Sequence, residues 1–378
     1  MSLSIVHTAD WQLGKPFGSI EGDAAAVLRE QRYDTIRRIG EEATKRSAAA
    51  VLVAGDVFDS VTTPDQVIRR ALETMKSFSG PWVLLPGNHD PLRAESPWTH
   101  LKAIGHPKNI IPAVTPAPII VADGNLAVLP APLTRKHEPD DVTRWMDNAE
   151  TPPGAFRVGL AHGSVTNRLP EADGDAANQI ADDRAETAKL DYLALGDWHG
   201  TVEIAPRTWY SGTPEPDRFP RNDPGNILAV TLESEMAPQV EKVAVSRFHW
   251  HRLEIALGAG GDVDATAAVE EELAAEVNEA EIALLHLRLS GTVDLATRHR
   301  IETLLDEWQA RLRYLHRDLS GLVDEPSDDD LDLIDHGGFV RAAVDRLKTL
   351  AEDPALSERD AARTALRILY FEHVAGGR

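Results

Sequence analysis

Five short polar motifs, almost all set just past an apolar run, constrain this chain more than any other feature. They read His7-Thr8-Ala9-Asp10-Trp11-Gln12, Gly55-Asp56, Gly87-Asn88-His89-Asp90, Ala161-His162-Gly163 and Gly196-Asp197-Trp198-His199-Gly200. The apolar runs at 3–6, 49–54, 82–85, 158–161 and 192–195 have the length and composition of strands buried on both faces. A strand that ends at such a motif delivers its polar residues to the rim of a sheet. Five of them in order along one chain can gather carboxylates, an amide and imidazoles at one rim.

Helical patterns lie between these runs. A long helix is expected at about 24–47. Thr63-Pro64-Asp65-Gln66 reads as a helix start, with Thr63 as N-cap, Pro64 as the first helical residue and Gln66 as the reciprocal cap. Val67, Ile68, Ala71, Leu72 and Met75 then form its buried stripe. Further strands are expected at 119–122, 126–129, 208–210 and 227–232. The alternation predicts an α/β fold over residues 1–247, a layered β-sandwich core flanked by helices.

A small α+β unit is expected over 248–323. Its strands fall at 248–256, 282–289 and 314–319, with one helix at 265–277. A second helix is capped by Asp294 and striped by Ile301, Leu304, Leu305, Trp308 and Leu312. Residues 324–338 are acidic and rich in breakers, and read as a linker. Two amphipathic helices over 339–378 finish the chain, with Ser357-x-x-Asp360 resembling a capping box for the second. Such helices either fold back on the body or dock on another chain.

Composition narrows the function classes. The chain has 378 residues, enough for a sizeable core, and no cysteine, so disulfides and thiolate metal sites are excluded. No signal pattern opens it and no apolar stretch approaches membrane-spanning length, so the expectation is a soluble cytoplasmic protein. The net charge of −22 argues against a freestanding, broad nucleic-acid binder. It does not argue against a nuclease, because bound cations and a local arginine cluster reverse the field where it matters.

Each motif residue has a chemical reading and a plain structural one. Asp10 and Asp56 are oxygen ligands of the kind hard divalent cations prefer, or else helix caps. Asn88 offers a neutral carbonyl ligand. His89, one residue on, points elsewhere and is free to act on substrate; the alternative is a simple turn. His162 is a ligand or a satisfied buried histidine. Asp197 and His199, two apart, point the same way on an extended segment, with Trp198 packing between them. His7 is expected to hydrogen-bond near the site, and His137 to lie in a solvated loop. Arg207, Arg218 and Arg221 are candidates to meet phosphates, or solvated loop charges. The loop at 164–181 can shape a substrate groove.

These residues resemble the calcineurin-like metallophosphoesterases, and within them the SbcD-like DNA-repair exonucleases, nuclease subunits that partner SMC-like ATPases. The opening His7-Thr8-Ala9-Asp10-Trp11 and the later Trp209-Tyr210-Ser211-Gly212-Thr213-Pro214 carry the resemblance to the subgroup, which covers about residues 1–320. It implies two divalent metal ions. One is held by Asp10, Gln12, Asp56 and His199, the other by Asp56, Asn88, His162 and Asp197, with Asp56 bridging and His89 as the catalytic histidine. It also implies DNA as substrate, a capping domain at 248–323 and an ATPase-docking role for the terminal helices; a homodimer is compatible.

Two positions depart from the family pattern, which usually has His at Gln12 and at Asp197. The ligand set becomes richer in oxygen, which favours manganese or magnesium over zinc and weakens the first site. The expected activity is phosphodiester hydrolysis of DNA. The rival readings are a phosphodiesterase or nucleotidase for small esters, and a weakly catalytic subunit that recognises DNA ends.

Overall fold

A computed structural model describes residues 1–166, 178–219, 222–257, 264–324, 327, 330, 338–353 and 355–376. The chain divides into two compact units, Met1–Phe248 and His249–Arg378.

The first unit runs β1 (Ser2–Thr8), α1 (Ala24–Lys45), β2 (Val51–Val53), α2 (Asp65–Thr74), β3 (Trp82–Leu84), α3 (Pro97–Ile104), β4 (Ile110–Pro112), β5 (Ile119–Val121) and β6 (Leu126–Ala131). It continues with β7 (Phe156–His162), β8 (Ser164–Val165), β9 (Gln179–Ile180), α4 (Arg184–Thr187), β10 (Tyr192–Gly196), β11 (Val202–Ala205), β12 (Thr208–Tyr210), β13 (Asn226–Glu233) and β14 (Gln239–Ala244). Two six-stranded sheets result, in the orders β14-β13-β1-β2-β3-β4 and β11-β12-β10-β7-β6-β5. β1 to β4 are mutually parallel in the first, and β6, β7, β10 and β12 in the second.

The continuous apolar runs have a direct cause. Ile5, Leu52 and Val83 of the first sheet pack with Val128, Val158, Leu160 and Ala194 of the second, forming the layer between the sheets. Their strand neighbours Val6, Val51, Val53 and Leu84 point the other way, into a second core under α1 and α2 with Ile36, Ile39, Ile68 and Leu72. Each strand is buried on both faces, so apolar residues cannot alternate with polar ones. Burying each such side chain contributes about 1.5–3 kcal/mol.

Local details differ from expectation. α2 begins at Asp65 with Pro64 as its N-cap, and no side chain caps it. The Thr63 hydroxyl donates to the Ser60 carbonyl instead (2.7 Å). α3, β4, β11 and β14 lie outside the pattern expected from the sequence. β14 pairs along β13 at the sheet edge and is mostly exposed, so it lacks an apolar run.

In the second unit β15 (His249–Leu257), α5 (Ala265–Glu276), β16 (Ala283–Val293), α6 (Leu295–Arg311) and β17 (Tyr314–Asp324) form a three-stranded parallel sheet with two helices. Asp294 caps α6 by accepting from Thr297 N (2.6 Å). The stripe Ile301, Leu304, Leu305, Trp308 and Leu312 is buried against Leu285, Leu287 and Leu289. Of the acidic run at 324–338, most lies outside the described residues. Asp324 is buried between Arg298 and Arg367 (3.3 and 3.4 Å), and Asp330 accepts from the first two amides of α6 (3.0 and 3.1 Å).

Two further helices, α7 (Gly338–Glu352) and α8 (Arg359–Gly376), pack on each other and on Leu295 through Val344, Ala351, Ala362, Leu366 and Tyr370. The Ser357 hydroxyl bonds Glu358 and forms no capping box (2.9 Å). Among the described residues no helix is long and apolar enough to cross a membrane.

Candidate metal centre

The parallel strands of both sheets end at one rim, and the polar motifs meet there. Asp10 follows β1, Asp56 follows β2, and Asn88 and His89 follow β3; His162 ends β7, and Asp197 and His199 follow β10. The amide of Asp197 lies 3.3 Å from both Asp10 carboxylate oxygens, which joins the two sheets at this point. Ligand atoms of Asp10, Asp56 and His162 lie within 4.8 Å of one another, and all three side chains are buried. His162 Nε2 is 3.5 Å from Asp56 Oδ1 and 3.7 Å from Asp197 Oδ1. At the other end His199 Nε2 is 3.9 Å from Asp10 Oδ1.

The backbone is unusual where it carries these groups. Asp10, Gln12, Asp56 and Asp197 all have positive φ, at 54°, 42°, 50° and 102°. Such conformations cost on the order of 1–3 kcal/mol each and concentrate at functional sites. The chain is bent so that consecutive residues can point into one small volume. Gly196 serves the same end: a Cβ there would lie 2.0 Å from the Ala54 carbonyl oxygen, where the two sheets meet.

Neighbours orient the imidazoles. His162 Nδ1 lies 2.8 Å from the Ala54 carbonyl, so it carries the proton and Nε2 faces the carboxylates. His199 Nδ1 lies 3.1 Å from Asp217 Oδ1. Asp217 is buried and its ionised carboxylate can only accept, so it selects the tautomer that leaves Nε2 toward Asp10. His89 Nδ1 is 3.1 Å from the Asp59 carbonyl, and its half-exposed ring holds Nε2 4.0 Å from Asp56 Oδ2. Asp90 accepts from the amides of Gly87 (2.7 Å) and Phe58 (3.0 Å), which fixes the loop that presents Asn88 and His89.

The cluster has the electrostatics of a cation site. Burial, and then Asp56 and Asp197, raise Asp10 to about 7, against the pull of His199 and His162. Burial alone would lower His162, but Asp56, Asp10 and Asp197 outweigh it and raise it to about 9. Protons are held where positive charge is short. Burial would also raise Asp217, yet His199, Lys15 and Arg32 keep it well below the usual carboxylate range. Two buried atoms, His162 Nε2 and Asn88 Oδ1, have no hydrogen-bond partner. Once a cation displaces the His162 proton, these two lone pairs beside buried carboxylates fit divalent cations bound through oxygen and imidazole.

A pH dependence follows. His162 is raised, so its contribution is complete below about 6.5 and is lost as pH rises through about 9. Asp10 is also raised and loses its proton across about 7, in the same direction. Asp217 is lowered and stays ionised throughout this window. In chelator, the unfolding temperature is therefore expected to fall between pH 6 and pH 9. Added Mn²⁺ should flatten that fall. A chelated protein whose melting is level over this range would contradict the cluster electrostatics.

Not every expected residue is at the rim. Arg207 precedes β12, which pairs with the start of β10, and its guanidinium bonds the Leu190 and Met236 carbonyls. That is the opposite end of the strand from Asp197, on the order of 15 Å away. Arg207 is therefore not brought to the rim with the other motif residues. Arg218 does reach the site: its exposed guanidinium donates to Asp217 Oδ1 (3.4 Å), the oxygen that His199 Nδ1–H faces. It lies beside the His199 ring as a close donor–donor approach (3.0 Å) and not as a hydrogen bond. Arg221 and most of the 164–181 loop lie outside the described residues. His7 is buried between the sheets, bonded to the Tyr192 hydroxyl (3.0 Å) and the Leu195 carbonyl (3.1 Å), and burial lowers it to about 3. Lys15, Asp59 and Asp217 belong to the site and carry no motif that marks them.

The DNA double-strand break repair protein Mre11 of Aeropyrum pernix is 29% identical over 281 residues, 68% of this chain and 65% of that protein. The SbcD component of the nuclease SbcCD of Bacillus subtilis is 35% identical over 115 residues, 28% of each chain. The chain thus spans less than two thirds of the length of either relative. Among solved structures, purple acid phosphatase from yellow lupin seeds aligns with a TM-score of 0.38 and 11% identity, covering 61% of this chain and 49% of that one. The family model for calcineurin-like phosphoesterases matches residues 3–201, which hold every one of the five motifs. With a two-sheet core that brings those motifs to one rim, the chain belongs to the calcineurin-like phosphoesterase family.

Proposed function

We propose that this protein hydrolyses phosphodiester bonds of DNA as a metal-dependent nuclease of DNA repair. The supporting observation is the buried carboxylate–imidazole cluster with the half-exposed ring of His89 beside it. The similar proteins are named a DNA double-strand break repair protein and a component of a nuclease. Asp10, Asp56 and His199 at one end, and Asp56, Asn88, His162 and Asp197 at the other, would hold two divalent ions, manganese before magnesium. Ions bound there supply Lewis-acid polarisation of a phosphoryl oxygen and make water more acidic.

The chain's own groups do the rest. The Asp59 carbonyl holds His89 Nδ1–H, so Nε2 is the atom free to pass a proton to the leaving sugar oxygen. Arg218 offers an exposed guanidinium at the rim for a neighbouring phosphate. An SMC-like ATPase is the proposed partner. The relative named as one component of a larger nuclease supports it, and so does a net charge of −22, which leaves little basic surface for unaided duplex binding.

The test is end-labelled linear duplex DNA with Mn²⁺, beside His89→Ala. Manganese-dependent shortening is expected, reduced about 10²-fold in the variant. Cleavage of small nucleotides with no cleavage of DNA, with or without a partner ATPase, would move the assignment to a small-ester hydrolase.

A further inference from the structure

Gln12 sits at the Asp10–His199 end of the cluster, but its side chain is engaged elsewhere. Lys15 Nζ lies 2.8 Å from Gln12 Oε1, 2.8 Å from Asp217 Oδ2 and 3.7 Å from Asp59 Oδ1. A tight turn produces this, in which the Lys15 amide donates to the Gln12 carbonyl (3.2 Å). An ammonium group can only donate, so the amide oxygen must face Lys15. The amide nitrogen then faces the cluster, 3.4 Å from His199 Nε2. A carboxamide NH₂ has no lone pair to give a cation. Gln12 Oε1 cannot turn inward without leaving Lys15 against a second donor.

The two ends of the cluster are therefore unequal. One end offers Asp56, Asp197, the unpartnered Asn88 oxygen and the unpartnered His162 nitrogen. The other offers Asp10, His199 and a share of Asp56, beside a fixed positive charge on Lys15.

We propose that Lys15 withdraws Gln12 from metal binding and supplies a resident positive charge at the Asp10–His199 end, so that the chain holds one divalent ion tightly and a second weakly. The inference rests on reading the cluster as a two-cation centre.

The experiment is calorimetric titration of the chelator-treated full chain with Mn²⁺, for wild type, Lys15→Met, Gln12→Ala and the double variant, with circular dichroism to verify folding. Wild type is expected to bind one ion tightly and a second at least about tenfold more weakly, the size of effect that groups around a ligand commonly exert. Lys15→Met frees the amide to turn and should tighten only the second ion, about tenfold. Gln12→Ala alone should leave both affinities nearly unchanged, yet should abolish the gain when added to Lys15→Met. Two equally tight ions in wild type, or a loss of second-ion affinity in Gln12→Ala alone, would overturn the inference while leaving the two-cation reading in place. No tight ion in any of the four proteins would overturn that reading, and the inference with it.

Discussion

Asp56→Asn is expected to lower turnover about 10⁴-fold and to abolish tight Mn²⁺ binding while the protein remains folded. Asp56 lies between the two ends of the cluster, 3.5 Å from His162 Nε2 at one and grouped with Asp10 at the other. Losing it removes several kcal/mol of charge stabilisation from the transition state, and each 1.4 kcal/mol is about tenfold in rate. The fold should survive, because Asp56 Oδ1 accepts from the His89 amide (2.9 Å) and an asparagine oxygen can still accept there, though more weakly. The change also removes one of the charges that push Asp10 upward. Turnover, calorimetric Mn²⁺ titration and thermal melting should be measured together. Native metal affinity in the variant would show that Asp56 is not the shared ligand.

Gly55→Ala is expected to destabilise the first unit by about 4 kcal/mol. Gly55 has φ +91°, and a Cβ there would lie 2.2 Å from His162 Nδ1 and 2.5 Å from its Cγ. The imidazole cannot retreat, because it is fully buried and held by the Ala54 carbonyl (2.8 Å). Backbone strain of about 1–3 kcal/mol adds to overpacking of about 1–3 kcal/mol. Gly18→Ala is the control: nothing lies within 4 Å of its added Cβ, so stability should stay within about 0.5 kcal/mol. Urea unfolding of the two variants separates the cases. Equal behaviour would mean that the close approach of Gly55 to His162 is not a feature of the folded protein.

Much of this site was legible because its residues sit at strand ends. An apolar run followed by Asp, Asn or His needs only the direction of a strand to fix where the polar residue goes. The motifs of Asp10, Asp56, Asn88 and His89 come from one sheet, and those of His162, Asp197 and His199 from the other. The stripes of α2 and α6 were legible for a similar reason, since helical spacing dictates one buried face. The place of Arg207 was not legible, because a polar loop carries no record of which end of a sheet it lies on. The Thr63 and Ser357 caps failed because a hydroxyl has competing partners nearby, and both found other acceptors.

Strand and helix pattern and the order in which polar motifs follow apolar runs are local properties, legible along the chain; family membership rests on the motifs themselves. How those groups are oriented depends on distant segments that fold together. Asp217 is 18 residues from His199 and chooses its tautomer. Lys15, held at 2.8 Å by Asp217 from a distant segment, lies 2.8 Å from the Gln12 amide oxygen. Ala54 and Asp59 orient His162 and His89 through backbone carbonyls, which no side-chain identity encodes. A hydrogen bond depends on distance and angle between segments packed against one another, and so its existence is a property of the fold.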